Sequence, residues 1–138
     1  MSLAAALDSA MAQVPGCVFA GFVELESGLM LAARPAGALT ELEADNLAAL
    51  AVVLYEAEPM RRLGDAIAGK AGGAASSGES RFGEALAISG ARLHLFLRLP
   101  GQAGQVACFV SDHREDPAKV RDAARAGLAT LAKAKLAP

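Results

Sequence analysis

The chain is poor in aromatic side chains, with no tryptophan, one tyrosine and five phenylalanines in 138 residues. Stacked aromatics cannot build its core, so Leu, Val and Ala must fill it. Small side chains let helices and sheet approach closely, but each buries little apolar area. That leaves room for a self-association surface to add burial. An excess of basic charge is also missing: 13 Lys and Arg stand against 15 Asp and Glu, for a net charge of −2. Without clustered cations or interleaved aromatics, nucleic acid is not an expected partner. No window approaches 18 uninterrupted apolar residues, so no membrane span is expected. The first residues carry neither a basic start nor a long apolar run, and the expected compartment is the cytoplasm. Only Cys17 and Cys108 are present, far apart and in apolar surroundings. They read as buried small hydrophobes, not as a disulfide or a nucleophile. With two histidines and no cysteine pair, neither a metal site nor a cofactor is expected.

What is present points to one folded domain over residues 1–138. A hydrophobic content of 54% and a mean hydropathy of +0.34 exclude disorder. The stretch from Glu84 to Ser111 is the most informative. Arg92-Leu93-His94-Leu95-Phe96-Leu97-Arg98-Leu99 alternates strictly, with four leucines on one face and Arg, His, Phe and Arg on the other. Period-two alternation is the mark of a half-buried strand. Glu84 to Ser89 precedes it across Gly90, and Gln105 to Ser111 follows it across the linker Pro100 to Gly104. Connections this short predict an antiparallel meander, because a parallel return needs a dozen residues or more.

Around the meander, the pattern predicts a short helix over Ser2 to Gln13, striped by Leu3, Leu7 and Met11 and stopped by Pro15-Gly16. Cys17 to Leu25 and Leu29 to Ala33 read as a hairpin turned at Glu26-Ser27-Gly28, with Arg34 to Gly37 ending it. Thr40 and Glu43 form a capping box that opens a long helix, with Leu47, Leu50, Ala51 and Leu54 on one face. Pro59 interrupts it, which predicts a break near Glu56 to Glu58 and a resumed helix from Pro59 to Ala68. Gly69 to Gly83 reads as a loop. Asp116-Pro117 caps a closing helix with a stripe of Val120, Ala124, Gly127, Leu128 and Leu131.

Helix, hairpin, long helix, three-strand meander and helix, in that order, resemble the roadblock family of dynein light chains and their bacterial relatives. The resemblance rests on Val14-Pro15-Gly16-Cys17, on the hairpin Glu24-Leu25-Glu26-Ser27-Gly28-Leu29, on the helical run Leu42 to Leu54, and on the strands Leu93 to Leu99 and Val106 to Val110. Pro59 and the long stretch Gly69 to Gly83 depart from the family layout. The fold this implies is α+β in three layers, a five-stranded antiparallel sheet in the order 2-1-5-4-3 between helices. The resemblance further implies a homodimer joined through the third strand and the long helix, where Leu47, Leu50, Leu54, Leu86 and Ile88 are the candidate contacts. In function it implies a non-catalytic regulator or scaffold for a Ras-like small GTPase, with stimulated GTP hydrolysis as a further implication. A small-ligand sensory domain and a secretion-type chaperone are the rival readings.

The motifs of catalysis fail on inspection. Gly64-Asp65-Ala66-Ile67-Ala68-Gly69-Lys70 matches a phosphate-binding loop until Ala71, where Mg²⁺ binding needs Ser or Thr. It reads as a helix end capped by Gly69. Ser111-Asp112-His113 has the residue types of a hydrolase triad, but sequence neighbours cannot place the imidazole between nucleophile and acid. A turn held by Asp112 is the expectation. An enzyme is not expected. Candidate partner contacts are Arg92 and Arg98, which flank His94 and Phe96, because Arg and aromatics are enriched at interfaces. The other reading of that face is cover by the long helix. Arg61 and Arg62 are the second candidate pair, either a partner patch or a solvated face tied to Glu56 and Glu58.

Overall fold

A computed structural model describes residues 2–35, 40–70, 82–112 and 114–136. Helix α1 spans Leu3–Gln13 and starts where Ser2 Oγ accepts a hydrogen bond from the Ala5 N–H at 3.1 Å. Strands β1 (Cys17–Glu24) and β2 (Leu29–Arg34) form the hairpin. Helix α2 runs Glu41–Glu56 behind its Thr40 cap, whose Oγ1 accepts from Glu43 N at 3.1 Å. Helix α3 follows at once over Glu58–Lys70. The meander is β3 (Glu84–Ile88), β4 (Arg92–Leu99) and β5 (Gln102–Asp112), and α4 (Pro117–Leu136) closes the chain. The five strands make one antiparallel sheet in the order β2-β1-β5-β4-β3.

The alternation in β4 sorts the core into two halves. Leu93, Leu95, Leu97 and Leu99 join Phe22 and Phe109 under α1 and α4. Phe96 points the other way and packs with Phe19, Val23, Val106 and Cys108 under Tyr55 of α2. The stripe of α4 is the expected one, with Val120, Ala124, Gly127, Leu128 and Leu131 all buried.

Three expectations need correction. Strand β5 begins at Gln102, not Gln105, because Pro100-Gly101 alone turns the chain. Gly101 adopts φ +75°, and Leu99 pairs with Gln102. Proline at the second and glycine at the third place of a turn suffice for a two-residue connection. The long helix does break, at Ala57, whose backbone is extended at ψ 140°. Its resumption runs from Glu58 to Lys70, further at both ends than Pro59 to Ala68. Gly69 consequently lies within a helix and does not cap one. The loop expected from Gly69 falls largely outside the described residues, from 71 to 81. Within the meander's far turn, Asp112 Oδ1 accepts from Arg114 N at 2.9 Å, as the strand-end reading expects. His113 is outside the described residues.

Candidate functional site

Helix α2 is where packing departs most from a helix that only covers its own sheet. The buried line along it is Ala48, Ala51 and Tyr55. Leu47 and Leu54 lie on its flank, half-buried against the core beneath. Leu42 (69% exposed), Val53 (56%) and Leu50 (36%) turn outward. Alanines face the sheet because small side chains let the helix settle onto Phe19 and Phe96, which leaves larger residues for the outer face. A helix apolar on both faces is built to be covered on both.

Among the described residues, the sheet beside α2 ends at the edge of β3. Cross-strand partners share a face. Leu86 pairs with Leu95 and Ile88 with Leu93, which puts both on the α4 side of the sheet. Ala85 and Ala87 take the α2 side. The five expected dimer contacts therefore divide between the two faces, Leu47, Leu50 and Leu54 on one and Leu86 and Ile88 on the other. The sheet's opposite edge differs. Phe22 pairs with Ala32 and Val23 with Met30, so Leu31 is an extra residue that bulges β2 and interrupts its edge. Strand β3 keeps an unbroken register along all five residues.

Tyr55 ties α2 to the start of β3. Its hydroxyl lies within hydrogen-bond reach of Phe96 O at 2.9 Å and Gly83 O at 3.0 Å. Burial pushes its pKa well up, so the phenol stays protonated and available as a donor. Arg98 stacks its guanidinium 4.8 Å from the centre of the Tyr55 ring and donates from Nε to Phe82 O at 3.3 Å. On the other face, Arg125 of α4 holds Glu84 through two bonds of 2.5 and 2.7 Å. That pair keeps the Glu84 carboxyl below its ordinary range.

The four candidate arginines do not converge. Arg98 is half-buried in the Tyr55 tie, while Arg92 is exposed at the far end of β4, about 20 Å away along the strand. Arg92 donates to Ala91 O at 3.0 Å. Arg61 and Arg62 are exposed on α3, and Arg62 pairs with Glu58 one turn back at 2.6 Å. A groove of about 500 Å³ opens between the start of α2 and the sheet, lined by Phe19, Arg92, His94 and Val110 from the strands and by Glu43 and Leu47 from the helix. Leu42 and Val53 escaped sequence reasoning because they fall off the leucine stripe. Their signal was the excess of apolar residues around the whole helix.

Neither thiol is activated. Cys108 is fully buried and Cys17 half-buried, both are free, and burial raises the pKa of each. Among the described residues, no three of His, Cys, Asp and Glu gather to hold a metal ion, and no helix is long and apolar enough to cross a membrane.

No protein-family model matches the sequence, and no curated protein matches it. Solved structures do. The chain is similar to the Roadblock/LC7 domain from Streptomyces avermitilis, at 14% identity and a TM-score of 0.68 over 99% of this chain and 100% of that one. It is similar to the gliding protein MglB from Thermus thermophilus, at 19% identity and a TM-score of 0.67 over 98% and 90% of the two chains. A third likeness is to MglB in a tetrameric arrangement, at 19% identity and a TM-score of 0.70 over 96% and 86%. The chain has the roadblock fold.

Proposed function

We propose that this chain is a non-catalytic, homodimeric regulator or scaffold that offers its helical layer to a Ras-like small GTPase in the cytoplasm. The observation that carries the reading is α2, apolar on its outer face and set beside an open sheet edge in a roadblock fold. Two copies joined through β3 and α2 would bury part of that face and present the rest as a platform. The tetrameric arrangement of one similar structure supports further assembly as part of the same reading. Arg61 and Arg62 sit on the exposed surface of α3, next in the chain to the platform. An arginine delivered to a transferring phosphoryl group stabilises its developing charge, and stimulation of GTP hydrolysis is the finer form of the proposal.

The test is an affinity pull-down from the source lysate with a non-hydrolysable GTP analogue and with GDP. Enrichment of a small GTPase in one nucleotide state is expected, and loss of that preference in Arg61→Ala/Arg62→Ala would locate the contact. Recovery of no GTPase in either state overturns the reading. A small-ligand function draws on the groove between α2 and the sheet. It would show as a co-purifying compound in native mass spectrometry.

A further inference from the structure

The free edge of β3 fixes how two copies would meet, an inference that rests on the dimer proposed above. Ser89 N donates to Arg92 O and Arg98 N donates to Gly83 O, so the odd-numbered residues of this segment bond to β4. Antiparallel ladders alternate in direction. Glu84, Leu86 and Ile88 therefore turn their N–H and C=O groups outward, where no backbone partner meets them among the described residues. A two-fold axis perpendicular to the sheet maps each residue onto its own face. Directly opposed residues must also share a face, so the axis passes through a residue and never between two. Through Leu86, it sets three outward residues against three and makes six hydrogen bonds. Through Ala85 or Ala87, it pairs only two of them with two.

Side chains favour the same register. Ile88 is the most exposed apolar residue of the strand, at 64%. With the axis on Leu86, the partner's Ile88 lies opposite Glu84, on the α4 face. A groove of about 450 Å³ is open there, lined by Glu84, Leu86, Leu95, Pro117, Ala118 and Arg121. We infer that a second copy of this chain docks with Leu86 on the two-fold axis and the partner's Ile88 in this groove. Each protomer then supplies both knob and groove, and an exposed isoleucine gains an apolar floor. Register is set by backbone bonding and by one side chain, not by the α2 contact alone.

Single cysteines at positions 85, 86 and 87 read the register in a Cys17→Ala background, with the buried Cys108 retained. In a hydrogen-bonded antiparallel pair, opposed Cα atoms lie about 5.5 Å apart, within disulfide range. A residue one place off the axis lies about 8 Å from its own copy, which is out of range. Under mild oxidation, Leu86→Cys is expected to cross-link nearly completely, with Ala85→Cys and Ala87→Cys at least tenfold slower. Preferential cross-linking of Ala85→Cys or Ala87→Cys overturns the register but keeps a β3 dimer. A dimeric mass with no cross-link at any of the three overturns β3 as the seam. A monomeric mass for the unmodified protein overturns the dimer itself. Ile88→Arg, which sets a cation beside Arg121, is expected to raise the dimer dissociation constant at least tenfold; an unchanged constant would empty the groove of its role.

Discussion

Replacing Tyr55 with Phe keeps the ring that Phe96 and Arg98 pack against and removes one hydroxyl. Phe96 O and Gly83 O share that single O–H and lose it, but each retains a backbone donor, since residues 83 and 85 bond to β4. The cost is then that of one hydrogen bond, about 1 kcal/mol, and not that of two orphaned carbonyls. Denaturant unfolding of Tyr55→Phe should show that loss; a loss above about 3 kcal/mol would mean the start of β3 had come free. Glu84 gives a pH signature at the same scale. Its folded pKa is lowered, first by the hydrogen bond from Arg125, so the folded state binds a proton less readily than the unfolded chain. The resulting stability is complete above the ordinary carboxylate range and drains away as pH falls through the folded value. Melting-temperature differences between native protein and Glu84→Gln should be largest near neutrality, about 1–3 °C for an exposed pair, and shrink steadily as pH falls below the ordinary carboxylate range. A difference constant with pH would refute the tie. Neither partner could be named from sequence. Tyr55 and Glu84 meet residues 28 to 41 positions away, which only the sheet's register brings close.

At the scale of elements, local rules were legible wherever the constraint was local. The strict alternation of β4 gave a strand, Pro59 gave a broken helix, and Thr40 and Asp116 gave helix starts, because each depends on a few neighbouring atoms. The start of β5 was not legible, since Pro100 to Gly104 offers two glycines and either could end a loop. Only Gly101 holds a positive φ, and pairing with β4 claims the rest. The α1–α4 contact adds a constraint that composition conceals. A Cβ on Gly127 would lie 2.9 Å from the Ala10 Cβ and 3.3 Å from its Cα. Alanine there gains up to about 1 kcal/mol of helix propensity. Ala10 has no rotamer through which to yield, so the helices themselves must part, at about 1–3 kcal/mol. Separation wins. Gly127→Ala should lower stability by about 1–2 kcal/mol in chemical denaturation, while the same change at exposed Gly90, with open space around it, should cost little. Equal effects at the two positions would show that the helix crossing tolerates a methyl group.

For the molecule as a whole, α2 decides what remains to be buried. Sequence periodicity set Leu47, Leu50, Ala51 and Leu54 on one face of it, and the structure runs the buried line through Ala48, Ala51 and Tyr55. Large apolar residues dominate a hydrophobicity count, whereas the sheet selects side chains that let the helix come close. Fold and topology do not depend on this offset, because α2 covers the same sheet at either rotation. The outer surface does depend on it, because a rotation of one residue exchanges which leucines meet solvent. Leu42 and Val53 carry the outer face, which the described residues leave uncovered. Self-association of this kind couples stability to concentration, since each tenfold dilution of a folded dimer that dissociates on unfolding removes about 1.4 kcal/mol. The melting temperature of the native protein should therefore fall steadily across a hundredfold dilution. Leu42→Asp/Val53→Asp alters only exposed positions, so its monomer should fold with unchanged circular dichroism and melt at one temperature whatever its concentration. A concentration-independent melt in both proteins would mean that the outer face of α2 stays bare in solution. A concentration-dependent melt in both would place the joining surface on β3 alone, with the outer face of α2 left out of it.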